Sequence, residues 1–340
     1  MVFLRSIYES ELNSDGKVEI IALYFQRSRI LTELEPDAFN ATFEDWLTHR
    51  KENLLNKAQE ILNLFDNRDR FEQLQRTFEN GRVMPFLGAG ISMLSGYPSW
   101  TQFLYEACDE SHIKKEDLEN LIKIGQYEEA AQLLHDDMSS AGFNELLESR
   151  FKSSKGIYGS VHYIPILFPK SSVITTNFDN LIETVYKNAD QSFDQIKSGK
   201  SLNEVTRLIP MGNRLLVKLH GNCDVATERV LLKNEYDIAY AQNNEIKSFF
   251  NRILFGQSLL FIGCSLTVDR TIQAMSDVVN EYGAATLPRH YAFLELKNSD
   301  DRVARKKMLA KANIFPIWYS EGEHDESIEA LFTLLLETSS

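Results

Sequence analysis

From residue 80 onward the chain alternates short apolar runs with longer stretches of helical spacing. The runs are Val83–Leu87, Ser172–Thr175, Leu215–Leu219, Leu259–Gly263, Tyr291–Leu296 and Ile314–Trp318. Each is short, mostly β-branched or aromatic, and lacks polar alternation, which is how strands buried on both faces of a parallel sheet read. Between them, Ser99 and Gln102 form a capping-box pattern ahead of Phe103, Leu104 and Ala107. Thr267 to Val279, Arg302 to Ala312 and Ser327 to Leu335 also carry helical spacing, and Ile328, Leu331, Phe332 and Leu335 share one face. Strand alternating with helix predicts an α/β fold, an open parallel sheet flanked by helices and joined by right-handed crossovers. No internal repeat or low-complexity segment interrupts it.

The first 75 residues differ in character, with one glycine (Gly16), one proline (Pro36) and many charges. From Glu52 to Phe65, Leu54, Ala58, Ile61 and Phe65 follow the spacing of one helix face, widened by Leu55 and Leu62. Residues 1–75 therefore read as an N-terminal helical extension and residues 76–340 as one α/β domain. The apolar stripe serves either packing on that domain or contact with another copy of the chain, and spacing alone leaves both open.

Composition narrows the chemistry. The 340 residues carry 36 Lys and Arg against 49 Asp and Glu, a net charge of −13. An acidic surface argues against direct nucleic-acid binding, which needs a basic face. It leaves room for a small phosphorylated ligand held by backbone amides. Cys108, Cys223 and Cys264 form no CxxC pair, so a disulfide scaffold and a four-thiolate zinc site are not expected. The amino-terminal stretch is broken by Arg5, Glu9 and Glu11, unlike a secretory signal, and no window approaches the ~18 apolar residues of a membrane span. A cytoplasmic, membrane-free setting is the expectation.

In such sheets ligands bind beyond the carboxyl ends of the strands. Four of the runs end in informative loops: Gly88-Ala89-Gly90-Ile91-Ser92, Thr176-Asn177-Phe178-Asp179, His220-Gly221-Asn222, and Gly263-Cys264-Ser265-Leu266 followed by Asp269. Glycines at 88 and 90 would let amides approach a pyrophosphate without Cβ obstruction, although Met93 stands where a dinucleotide fingerprint has its third glycine. Gly263 and Ser265 would do the same on a second loop. His220 follows a buried strand directly, where an imidazole can accept a proton near neutral pH. Asn177 and Asp179 are either turn-formers or, two residues apart, two side chains reaching one crevice.

FLGAGIS with SGYPSW, TTNFDNLIE, KLHGN and LLFIGCSLTVD, in this order, resemble the sirtuin (SIR2) superfamily, in particular its SIR2-like branch found in bacterial anti-phage defence proteins. VLLKNEYDIAYAQNNEIKSFFNRI is similar to that branch as well, and the resemblance spans about residues 80 to 300. It implies a Rossmann-like sheet and an NAD site. Gly88, Ala89, Gly90 and Ser92 match the phosphate-side loop, Thr176, Asn177 and Asp179 the loop beside the nicotinamide ribose, and His220 the histidine that works on that ribose. Gly263, Ser265, Leu266 and Asp269 match the adenosine side. Sirtuin deacylases carry a zinc ribbon of two Cys pairs between the histidine and the last glycine motif. Here that stretch holds only Cys223, so no ribbon and no metal are expected. The family's Pro-Asp-Phe-Arg reads Pro98-Ser99-Trp100-Thr101. Both departures are shared by the SIR2-like NAD hydrolases.

The resemblance thus implies hydrolysis of NAD, as substrate, to nicotinamide and ADP-ribose. Asn177 would position water and ribose, His220 would act as general base on the ribose side, and Asp179 would orient the carboxamide. The alternatives are a non-catalytic sensor of NAD or of an NAD-derived nucleotide, and a zinc-free NAD-dependent protein deacylase. Uncontrolled NAD loss is toxic, so an effector of abortive anti-phage defence would stay silent until triggered. Homo-oligomers and a partner ATPase, an Argonaute-like protein or a phage component are implied partners.

Overall fold

The computed structural model describes residues 2–153, 155–198, 202–242, 245–267 and 270–338. The first element is helix Val2–Ser14, followed by an antiparallel hairpin, β1 (Lys17–Ile20) and β2 (Leu23–Gln26). The hairpin interrupts the expected all-helical extension. Its turn residues, Ile21 and Ala22, both have positive φ, a conformation normally signalled by Asn-Gly, so the sequence gives no warning of it.

Helix Pro36–Leu62 then buries Leu54, Ala58, Ile61 and Leu62 and packs against helix His324–Thr338. The apolar stripe is therefore used within the chain. Phe65 is not part of it: the helix ends at Leu62, Phe65 has φ of 50° and is exposed, and Arg302 lies 4.0 Å over its ring. Arg50 from this helix bonds both oxygens of Glu329 at 2.8 Å. Helix Asn67–Glu79 follows, and its buried Asn67 donates to Ile61 O and Trp318 O and accepts from Trp318 N–H. That side chain replaces the strand partner that an edge would otherwise leave missing.

Among the described residues, seven strands form one parallel sheet: β3 (Val83–Leu87), β4 (Val173–Thr175), β5 (Gln195–Ser198), β6 (Leu215–Lys218), β7 (Ser258–Ile262), β8 (His290–Leu296) and β9 (Ile314–Ser320). Their order is β5-β6-β4-β3-β7-β8-β9, with every adjacent pair parallel. The expected strands lie within one or two residues of those observed. β5 escaped the apolar-run criterion because Gln-Ile-Lys-Ser is a mostly polar edge strand whose one apolar residue, Ile196, is exposed. β3, β4, β6 and β7 are buried along their whole length.

Alternate residues of each central strand feed opposite cores. Val83, Leu87, Leu260 and Ile262 pack on one face, and Met84, Phe86, Leu259 and Phe261 on the other. Period-2 geometry with both faces covered explains why these strands show no polar alternation. The Ser99 cap is observed, with Gln102 N–H donating to its hydroxyl at 3.1 Å ahead of helix Trp100–Asp109. Among the described residues no helix is long and apolar enough to cross a membrane.

Candidate functional site

The chain leaves β3 to build β4 and β6 on one side and then returns to add β7 on the other, so the strand order reverses between β3 and β7. A crevice opens at such a switch point beyond the carboxyl ends. The Gly88 loop and the Gly263 loop flank it directly. Thr175 and Lys218 are paired across β4 and β6, so Asn177 and His220 each stand two residues beyond the same register position. The four loops singled out from the sequence therefore follow four neighbouring strands.

The glycines have a packing role within the fold. A Cβ on Gly88 would lie 2.6 Å from Gly263 O, and one on Gly263 would lie 2.5 Å from Ile91 N. A Cβ on Gly90 would stand 2.8 Å from Gly263 Cα. All three serve the close approach of one loop to the other. The amides are largely spent between and within these loops: Gly88 N–H donates to Ile262 O and Gly90 N–H to Gly263 O across them, and Ile91 N–H to Gly88 O and Ser92 N–H to Ala89 O within one. Ala89 N–H has no acceptor assigned within the described residues.

Asn177 is buried and fixed. Its backbone N–H donates to Thr175 Oγ1 at 3.0 Å, and its Nδ2 donates to Gly88 O at 3.0 Å and Ser92 Oγ at 3.1 Å. A carbonyl only accepts, so the contact with Gly88 O sets which end of the amide is nitrogen. Both N–H donors are used, leaving Oδ1 as an acceptor. Ser92 also bonds the carboxyl of Asp179, which accepts from Leu181 N–H at 3.0 Å. Burial pushes the Asp179 carboxyl above the usual range, while the Leu181 amide, Lys218 and Ser92 pull it back.

Lys218, at the end of β6, is 0% exposed. Its Nζ donates to Asp179 O at 2.7 Å, Asn180 Oδ1 at 3.3 Å and Glu183 Oε1 at 3.0 Å. It ties the Asn177 loop to the strand that carries His220. Sequence reasoning passed over it, although a lysine closing the apolar run Leu-Leu-Val-Lys-Leu was the signal.

His220 is buried, and burial pushes its imidazole down to about 4, so it is neutral at cellular pH. Nε2 lies 3.0 Å from the Tyr240 hydroxyl and Nδ1 lies 3.3 Å from that of Tyr236. Tyr240 Oη is also 3.2 Å from Thr271 Oγ1. The two tyrosine rings stack at 5.7 Å. Neither was anticipated as part of the site. Tyr236 and Tyr240 lie in the segment quoted for the resemblance, four residues apart on one helical face.

Thr176 is half-buried beside this group, its N–H donating to Leu87 O at 3.3 Å. Ser265 is exposed and its carbonyl accepts from Arg305 at 2.6 Å. Leu266 has φ of 47° and buries its side chain in the second core, leaving only its backbone for the crevice. Asp269 lies outside the described residues. His324 comes within 3.0 Å of a Cβ built on Gly90; its Nδ1 bonds Tyr319 Oη at 2.5 Å and its buried Nε2 has no partner among the described residues. Only its tertiary position could have shown this.

Among the described residues no group of three His, Cys, Asp or Glu side chains is placed to hold a metal ion. A cleft of about 810 Å³ lies at the opposite, amino end of the sheet, lined by Arg76, Arg82, Arg289, Phe255 and Tyr291 among others. It shares no residue with the constellation.

Residues 171–317 match the SIR2-like domain family. The NAD(+) hydrolase ThsA of Cytobacillus dafuensis is 28% identical over 211 residues, 61% of this chain and 40% of that protein. Defense-associated sirtuin 2 of Bacillus subtilis is 27% identical over 220 residues, 62% of this chain and 21% of that protein. The NAD(+) hydrolase ThsA of Enterococcus faecium is 26% identical over 218 residues, 63% and 43% respectively. The chain thus spans less than half the length of each of these relatives. The resemblance to the SIR2-like branch read from the motifs is borne out, as is the parallel α/β sheet.

Proposed function

We propose that this chain, which carries a SIR2-like domain, hydrolyses NAD at the bond between nicotinamide and ribose. The observation that carries the reading is the placement of Asn177 and His220 two residues beyond one register position on adjacent strands, beside the switch point. The similarity to NAD(+) hydrolases of the ThsA type supports it.

Nicotinamide in NAD is cationic and leaves as a neutral molecule, so no general acid is needed. The ribose gains positive charge as the bond breaks, and a water attacks the carbon that is left. Asn177 Oδ1, with both amide donors committed to Gly88 and Ser92, is the acceptor that orients this water. His220 is neutral and takes up the proton as base, giving nicotinamide, ADP-ribose and a proton. Asp179 and Thr176 border the nicotinamide end. Ala89 N–H, with Ser265 on the facing loop, borders the phosphates.

One observation favours a silent sensor as the second reading: both nitrogens of His220 are already bonded within the chain. In the hydrolase reading this is a resting state, suited to a cytoplasmic effector of abortive defence that a phage component or partner protein switches on. The deciding experiment measures NAD in cells producing the chain with its genomic neighbours, with and without phage. NAD falls after challenge with wild type and stays level with Asn177→Ala. A sensor leaves NAD level in both, and a deacylase consumes it only with an acylated protein substrate.

A further inference from the structure

We propose that the two tyrosines on His220 do different work. Tyr236 is a fixed positioning residue that holds Nδ1, whereas Tyr240 is a removable plug whose hydroxyl stands at Nε2 in place of a ribose hydroxyl of the substrate. The assignment rests on the hydrolase reading only for the identity of the incoming hydroxyl.

The two residues differ in how they are anchored. Tyr236 closes helix Lys233–Tyr236, a turn stapled by Glu235, whose Oε2 accepts the N–H groups of Leu231 and Leu232 at 2.8 and 2.9 Å. The Arg270 guanidinium lies 5.5 Å over the Tyr236 ring and pairs with Asp237 at 2.8 Å and Glu128 at 2.5 Å. Tyr236 is thus clamped between helix Tyr127–Phe151, which carries Glu128, and helix Arg270–Tyr282.

Tyr240 lies one step further on, in the π-helical turn Asp237–Gln242. A π turn holds more residues than an α turn and is a rare, local departure from the stable winding. Relaxing it re-phases the side chains within it, Tyr240 included, while the stapled turn before it stays put. The exchange at the imidazole is balanced. Tyr240 gives up a bond between a neutral hydroxyl and Nε2, and a ribose hydroxyl restores one of the same kind. Thr271 Oγ1, 3.2 Å from Tyr240 Oη, is the second holder of the plugged position.

Acylation of histidines by diethyl pyrocarbonate, read by mass spectrometry, tests this without any substrate. His112, with its side chain 95% exposed, serves as the internal standard. In wild type His220 is protected relative to His112. In Tyr240→Ala it reacts about tenfold faster, the loss of one hydrogen bond's worth of closure, and in Tyr236→Phe it stays protected. Thr271→Val, which keeps the core shape, moves in the direction of Tyr240→Ala and covers the case in which that variant fails to fold. Nicotinamide release from NAD then rises about tenfold in Tyr240→Ala and falls about tenfold in Tyr236→Phe. Equal exposure in both tyrosine variants, or protection in Tyr240→Ala and Thr271→Val alike, overturns the proposal and leaves the hydrolase reading intact. Exposure of His220 in Tyr240→Ala with no nicotinamide release upholds the plug and sinks the hydrolase reading.

Discussion

The two ends of the parallel sheet differ in kind. At the amino ends of β3, β7 and β8 there is an open cleft of about 810 Å³, edged by the exposed Arg76, Arg82 and Arg289. At the carboxyl ends of β6, β4 and β3, Asn177, Asp179, Lys218 and His220 are buried together with Ser92. Exposed guanidinium groups are solvated and cost nothing to keep. Buried polar groups persist only when partners compensate their lost hydration. Here the partners come from three separate strand-end loops and the segment after residue 230. An open cleft marks one end of the sheet and a cluster of buried polar groups the other, and the candidate site lies with the second.

Each end also holds a buried neutral histidine, and these two differ in the same sense. His290, at the start of β8, accepts the N–H of Leu259 at 3.1 Å, a backbone contact that stitches two strands. His220 bonds two side-chain hydroxyls, contacts that can be exchanged. The first is architecture, and the second is suited to a substrate.

The comparison can be broken most forcefully through rates. His220→Ala lowers nicotinamide release by ~10²- to 10⁴-fold, the range for loss of a general base. The double variant Arg82→Gln, Arg289→Gln at the other end leaves the rate within about twofold, since neither side chain touches the crevice. Next in size is Lys218→Met. It leaves Glu183 without its cation and frees the Asn177 loop, so urea titration should show a loss of about 3–5 kcal/mol.

The smallest effect is a pH dependence shared by both ends. Burial sets His220 to about 4 and His290 to about 3, below the ~6.5 of the unfolded chain. The unfolded state therefore binds more protons through this window, and stability falls as pH drops from about 6.5 toward those values. Each histidine contributes at most about 1.4 kcal/mol per pH unit. In urea titrations from pH 7 to 5, His290→Gln should flatten the slope by up to that amount. An unchanged slope would show that His290 takes no part in the linkage.

The parallel sheet was legible because its central strands are covered on both faces, which leaves an unbroken apolar signature at Val83–Leu87 and Ser258–Ile262. β5 and the hairpin were not, since an edge strand of Gln-Ile-Lys-Ser and a turn of Ile21 and Ala22 carry none of the usual marks. At the candidate site, Asn177, Asp179 and His220 were singled out by position, just past buried strands, where turn formation competes as a reason for Asn and Asp. Lys218, Tyr236, Tyr240 and His324 were hidden because their roles depend on which loops fold onto one another. For the glycines the structure adds a steric reason that the sequence did not carry. Gly88, Gly90 and Gly263 make room for each other's backbone.

The central claim is that the carboxyl-end constellation cleaves NAD. Its most direct test is nicotinamide release from NAD by micromolar purified chain, followed to equal extents for wild type, Tyr240→Ala and Tyr240→Ala with Asn177→Ala. The account predicts slow release from wild type, faster release once Tyr240 is removed, and loss of that gain when Asn177 is replaced as well. Release that survives the Asn177 replacement, or none from either chain that keeps Asn177, would contradict it.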